Sequence, residues 1–270
     1  MASKDIYSKE ADFHDRWADS VLLDDVKIIE SFESPTMPEN SFILSKLVDV
    51  KGKKLLDIGS GQGEAAIYFA LKGADTTLVD ISPGMVRLAS DLAKEYGVSI
   101  RTSICAAEHM DCESNYFDFV YLGNVIHHVK DRRLLFEQVL RVLKPGGYFY
   151  SYDPLRYNPI INIYRLMATE NRSEDESPLG KYDYRLVTKY FINCGHREFW
   201  LTSLVLFLKY YVVDRKDPGK VKYWKQILRE NTKTLWWWFP FLYLDKFLTK
   251  IPGLRWLSWN IVMWGQKPVI

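Results

Sequence analysis

The 270-residue chain has little cysteine. Cys105, Cys112 and Cys194 form no CxxC pair and sit in no His/Cys cluster. That excludes a disulfide scaffold and a zinc module, and it fits reduced thiols in a cytoplasmic protein. No apolar run reaches 18 residues; Lys209 breaks the nearest one, Phe199 to Val213, so no spanning helix is expected. The opening MASKDIYSKEADFHDRW lacks an apolar segment, and no secretory signal is expected there. A net charge of +2 gives no electrostatic case for nucleic acid. No internal repeat is visible. The length suits one large domain with a substantial core.

Aromatic residues, in contrast, are plentiful at 15%. Trp224, Trp236, Trp237, Trp238, Trp256, Trp259 and Trp264 all fall in the last fifth of the chain. Charge is uneven too: Phe207 to Asn260 carries 11 Lys/Arg against 4 Asp/Glu, which leaves the body mildly acidic.

Residues 5–30 read as an amphipathic helix, with Tyr7, Phe13, Trp17 and Val21 at helical spacings. From Lys53 strands and helices alternate. KLLDI (54–58), TTLVDI (76–81), VSIRTSIC (98–105), FDFVYLG (117–123) and YFYSYD (148–153) read as strands, the last after a KPGG turn. Helices follow at 64–72, from an Ser82 cap to Tyr96, and from an Asp131 cap to Leu143. This alternation predicts a parallel sheet with helices on both faces. Further on, 155–168 and 186–195 read as helices, 171–183 as an exposed acidic loop, and 198–208 as a sixth strand. Residues 218–258 read as two or three helices, and 259–268 as a final buried strand.

LLDIGSGQGE (55–64) carries the strongest chemical signal. Gly59, Gly61 and Gly63 let the backbone turn sharply between strand and helix and approach a ligand closely. The N–H groups at the helix start favour an anionic group. Asp80 ends the next strand, where a carboxylate can accept both hydroxyls of a ribose. A nicotinamide site would place the last glycine one residue later, at Glu64.

DIGSGQG, VDIS, FDFVYLGNVIHHV and LKPGGYFY stand in this order over residues 50–153. The set resembles the class I S-adenosylmethionine-dependent methyltransferases, in particular the type 11-like group that acts on small molecules. The resemblance implies a Rossmann-like α/β fold with a seven-stranded sheet of order 3-2-1-4-5-7-6, strand seven being antiparallel. It implies S-adenosylmethionine as cofactor. Asp57, Gly59, Gly61, Gly63 and Asn124 would line its methionine end, Asp80 would bind its ribose and Ile81 would pack on adenine. Ala106 and Ala107 stand where relatives carry Asp-Ala, so adenine would be held by backbone and apolar contacts. Glu108 reads either as a substitute for that aspartate or as an exposed acid starting a helix.

His127 and His128, after the fourth strand, are the candidates for a base that takes an acceptor's proton. Tyr7 and Trp17 would close over the site, excluding water; Tyr152 and Asp153 would touch substrate. No metal is expected, because Gly123-Asn124 stands where metal-dependent relatives have acids.

The whole of 1–270 reads as a single domain: a lid over 1–45, a cofactor core over 46–153, substrate-side elements over 154–217, an aromatic basic insertion over 218–258 and a closing strand over 259–270. The insertion, with LWWWFPFLYL at 235–244, has three open readings: a buried cap, a pocket for a lipid-like acceptor, or contact with a membrane surface. Three adjacent tryptophans turn about 100° apart, so at least one must face away from the local core. Two functions from different classes follow. One is metal-independent methyl transfer to a small or lipid-like acceptor. The other is a non-catalytic methyltransferase-fold module that binds a membrane or partner through the insertion. Methylation of protein or nucleic acid is the least supported, since neither a basic groove nor an N-P-P-Y-type tetrad is present.

Overall fold

The computed structural model describes residues 2–47, 49–168, 176–230 and 235–269, with side chains from residue 7 onward. Seven strands form one sheet: β1 (Lys54–Ile58), β2 (Asp75–Asp80), β3 (Arg101–Ile104), β4 (Phe117–Gly123), β5 (Leu143–Pro154), β6 (Ile192–Phe199) and β7 (Asn260–Gln266). Their order is β3-β2-β1-β4-β5-β7-β6, as the resemblance implies. β1 to β5 pair in parallel, while β7 runs antiparallel to both β5 and β6. Because β7 is reversed, its first residue, Asn260, lies beside Pro154 and Phe199 at the carboxyl edge of the parallel strands. Ligands bind at that edge in open α/β sheets.

Helices α4 (Glu64–Leu71), α5 (Pro83–Glu95) and α6 (Arg132–Val142) cover the sheet. Both expected caps form: Ser82 Oγ accepts from Met85 N at 3.0 Å, and Asp131 Oδ1 from Leu134 N at 3.0 Å. Two clusters pack the sheet's faces, one around Phe136, Phe149 and Leu122, the other around Phe32, Phe69 and Leu55.

Several expectations are corrected. The first helix, α1 (Ala2–Asp19), stops well before residue 30; short α2 (Glu30–Glu33) and α3 (Pro38–Lys46) follow. β5 already begins at Leu143 and runs through KPGG, with Gly146 at φ +81° absorbing the irregularity. α8 (Lys181–Tyr190) ends early, and Cys194-Gly195 belong to β6. The expected strand at 198–208 is strand only at Glu198 and Phe199: β6 ends there, residues 200–204 turn, and α9 (Val205–Leu208) leads into a π-turn, Lys209–Val213. Gly195 fixes the register, since a Cβ there would lie 2.1 Å from the Trp264 ring on β7. Part of the loop expected at 171–183 lies outside the described residues, and Lys181 to Asp183 open α8.

α7 (Pro159–Met167), α9, the π-turn, α10 (Tyr223–Leu228) and α11 (Phe239–Leu248) enclose a third core. Trp238, Tyr210, Tyr223, Phe207 and Trp200 are its buried centre. This cap owns its core; it is not a few helices resting on the sheet.

Candidate active site

The glycine turn forms as the spacing predicts. Gly59 stands at φ +62° and Gly63 at φ +80°; a Cβ would come within 2.6 Å of Val125 at the first and of Ala89 at the second. Only glycine fits both the left-handed conformation and the space. Some of the turn's N–H groups are used inside the protein. Gly59 and Ser60 donate to Val79 O, and Gly61 donates to Asp80 Oδ2 at 2.8 Å. The chain doubles back onto β2, so these donors are spent inside, and the turn offers a close backbone surface there.

One cavity of about 280 Å³ opens at the carboxyl edge. Asp57, Gly59, Gly61, Asn124, His127, His128, Trp17 and Tyr152 all line it. Asn124 takes a left-handed φ of +58° and donates its N–H to Tyr152 O. Asp57 is buried at the end of β1 and accepts from Ala66 N; burial drives its carboxyl well above the ordinary value. Gly63, Asp80, Ile81, Ala106, Ala107, Tyr7 and Asp153 are not on the cavity wall. Asp80 braces the glycine turn and accepts from Ser82 N at 2.9 Å. Its burial raises its pKa, against the hydrogen bonds from Ser82 and Gly61.

α1 lies over the start of α5. Asp15 Oδ1 accepts from Gly84 N at 2.7 Å and from Ser82 Oγ at 2.5 Å. Tyr7 meets His109 edge-on, and Glu108, expected as exposed, is 3% exposed. A second latch joins α1 to the loop after β4: Glu10 Oε1 sits 2.8 Å from His128 Nδ1 and 3.0 Å from His14 Nε2. Burial lowers the His128 pKa, but the hydrogen bond and charge of Glu10 outweigh it, and the net shift is upward. Glu10 is held well below the carboxylate range by the same two histidines, against its own burial.

His127 is placed differently. Its backbone N–H donates to Asp153 Oδ1, and its Nδ1 lies 2.8 Å from that oxygen. Asp153 is fully buried behind it, and burial pushes its carboxyl up to about 8. The pair fixes the imidazole's orientation toward the cavity. Glu10, His14 and His128, and likewise His127, His128 and Glu176, bring three ligand-type atoms within 4.8 Å of one another. Glu10 and His14 share α1, and His127 and His128 share the loop after β4, but the third member of each group comes from elsewhere in the chain, which is why residue spacing did not reveal them.

The cavity continues into an aromatic chamber walled by Tyr164, Trp200, Trp224 and Trp259, with Glu39, Asn40 and Asn260 among its polar residues. The roof is α10. Lys225 Nζ bonds Gln62 and approaches Glu64 Oε1 at 3.5 Å on the glycine turn. Lys222 Nζ lies 3.8 Å from the centre of the Trp17 ring, and burial lowers its pKa to about 8. The tryptophan triplet does not reach this chamber. Trp238 is fully buried with its indole N–H on Ser203 O, Trp237 is half-buried against the cap core, and Trp236 is 75% exposed.

The strand order and glycine turn define a class I methyltransferase fold, and comparison with known proteins agrees. The family model described as "Methyltransferase domain" matches residues 56–151. The ubiquinone/menaquinone biosynthesis C-methyltransferase of Bordetella parapertussis is 36% identical over 114 residues, 40% of this chain and 43% of that relative. Phosphoethanolamine N-methyltransferase 2 of Caenorhabditis elegans is 35% identical over 112 residues, 40% of this chain and 26% of the relative. The chain thus spans under half the length of these curated relatives. Among solved structures, Haemonchus contortus phosphoethanolamine N-methyltransferase 2 superposes with a TM-score of 0.58 at 21% identity, covering 86% of this chain and 52% of that one. Geranyl diphosphate C-methyltransferase of Streptomyces coelicolor does so with 0.56 at 14%, covering 84% and 77%. Over residues 56–151 the chain is thus similar to methyltransferases, and its strand order is that of the class I methyltransferase fold.

Proposed function

We propose that the protein transfers a methyl group from S-adenosylmethionine to a small or lipid-like acceptor. The observation that carries this reading is the single cavity joining the glycine turn to the aromatic chamber. The residues fit the cofactor: Gly61 on the cavity wall faces open space that a Cβ would enter, and Gly59, Asn124 and Asp57 stand beside it. Asp80 would hold the ribose, each carboxylate oxygen retaining a second lone pair beside its present bond. Ile81, Ala106 and Ala107 would flank adenine beneath α1, with the Glu108–Tyr7 contact closing that end. When bound, the cofactor supplies an already activated methyl on a sulfonium.

The chain's own residues then position and desolvate. Trp17 and Phe13 of α1 with α10 exclude water. The chamber orients the acceptor, which is the larger part of catalysis for so activated a donor. His127, steadied by Asp153, would take a proton from the acceptor. His128 serves as the lid's latch. Calorimetric titration with S-adenosylmethionine tests the first half: no binding at millimolar ligand sinks it, and Asp80→Ala should weaken binding about tenfold through two lost ribose hydrogen bonds.

A second activity has its own observation. Tyr243, Phe247 and Ile251 form an exposed stripe at helical spacing on and just beyond α11, flanked by Lys246 and Lys250. The acid of α11, Asp245, is buried on Thr202 and Ser203. An apolar face with lysines and no exposed acid suits contact with an anionic membrane surface. No helix among the described residues is long and apolar enough to cross a membrane. Tyr243→Ser with Phe247→Ser should lower co-sedimentation with phosphatidylglycerol-containing vesicles about tenfold. Equal sedimentation of both proteins would refute the contact.

A further inference from the structure

Glu39 of α3 and Asn260 of β7, 221 residues apart in the chain, meet on the cavity wall. Asn260 Nδ2 donates to Glu39 Oε1 at 2.5 Å. That bond leaves two acceptors with no hydrogen-bond partner among the described residues, Glu39 Oε2 and Asn260 Oδ1. Both side chains are deeply buried, 1% and 6% exposed. Leaving buried acceptors unpaired is costly, and a carboxylate oxygen more so than an amide. A tie between α3 and β7 needs only the Oε1 bond, so holding the fold together does not account for the other two atoms.

The remaining atoms specify what fits them. Two adjacent acceptors with no donor require a group that brings at least two hydrogens. A primary amine or ammonium does so; a hydroxyl brings one and an ether none. The surroundings suit a cation as well. Tyr152, Trp200 and Trp259 line the same cavity, and aromatic faces attract an ammonium. Burial raises Glu39 to about 6, against the hydrogen bond from Asn260, and an ammonium beside it would favour the ionised carboxylate. Neither residue stands in a motif of the cofactor core. α3 precedes β1, and Asn260 opens the last strand.

We infer that Glu39 and Asn260 anchor an amino group of the acceptor, making the acceptor an amine carried on a flat apolar body. The inference deepens the methyl-transfer reading by naming the acceptor's class. Binding at the anchor does not itself require the cofactor.

The test is calorimetric titration of three probes of one shape: 1-naphthylmethylamine, 1-naphthylmethanol and its methyl ether. Each is run with and without S-adenosylhomocysteine. The wild type should bind the amine at least tenfold more tightly than the ether, with the alcohol between. Glu39→Gln keeps size and the bond to Asn260 but removes the charge, and should bring amine and ether within threefold. Glu39→Asp, which keeps the charge and withdraws it by one methylene, should fall between. A melting curve qualifies each variant, and the wild-type series stands without them. Equal binding of amine and ether, an unchanged preference in a folded Glu39→Gln, or no binding of any probe would each overturn the anchor. Absent S-adenosylhomocysteine binding would sink the methyl-transfer reading instead and leave the probe series readable.

Discussion

The cofactor core and the cap treat apolar surface in opposite ways. Over the described residues of 46–153, Leu71 and Ile104 are the large apolar side chains left exposed. The cap, although it has its own buried centre, leaves Leu166, Val212, Val213, Trp236, Tyr243 and Phe247 each more than 60% exposed. A helix that serves only its own fold buries one stripe and wets the other. Cap helices that are apolar inside and out have one face for their own core and another for something beyond it. In the core, apolar side chains are spent on the sheet; in the cap, part of them is left facing outward.

The largest expected effect separates the two faces of the cap. Trp238→Ala should cost about 3–5 kcal/mol in urea unfolding, since it empties the centre of the third core and strands Ser203 O. Trp236→Ala, two residues away, should stay within about 0.5 kcal/mol. Similar costs for the two would erase the distinction between inner and outer face. Next comes the core. Gly59→Val should reduce S-adenosylmethionine affinity by roughly 100-fold, through a left-handed φ and a clash with Val125, while the cap's unfolding transition stays in place. Loss of both together would mean that the core and cap fold as one unit.

The smallest effect concerns the lid that joins the two regions. His128 is raised above its unfolded value, so the Glu10–His128 latch contributes fully below about pH 6.5 and is lost as pH climbs through the raised value. Glu10 is depressed, so its side of the latch fails only in strong acid. The protection factors of α1 amides, taken relative to their intrinsic base-catalysed exchange, should therefore fall about twofold between pH 6 and pH 9, and His128→Gln should flatten that profile. An unchanged profile in the variant would assign the pH response to another group.

The legible parts were those that short-range rules govern. Ser82 and Asp131 cap helices because their oxygens reach an N–H three residues on. The glycine turn was legible because one stretch of chain carries strand, turn and helix in sequence. What failed was of two kinds. The stretch 198–208 is apolar enough for either strand or helix, and the ring of Trp264 against Gly195 helps to settle where β6 lies. That Gly59 and Ser60 donate to Val79 O could not be known until β2 was placed beside them. Trp200 and Glu39 went unnoticed as site residues because nothing near them in the chain marks them.

By itself the sequence determined the alternation of elements, the glycine turn, the fold class and the unequal sharing of charge and tryptophan. Each depends on residue type at a separation of a few positions, where backbone geometry sets which groups can meet. Tertiary structure alone decided that α10 rather than the tryptophan triplet roofs the site, that His127 leans on Asp153 while His128 holds the lid, and that Glu39 meets Asn260. Those pairings join residues far apart in the chain, and only the packing of sheet, lid and cap brings them within hydrogen-bonding distance.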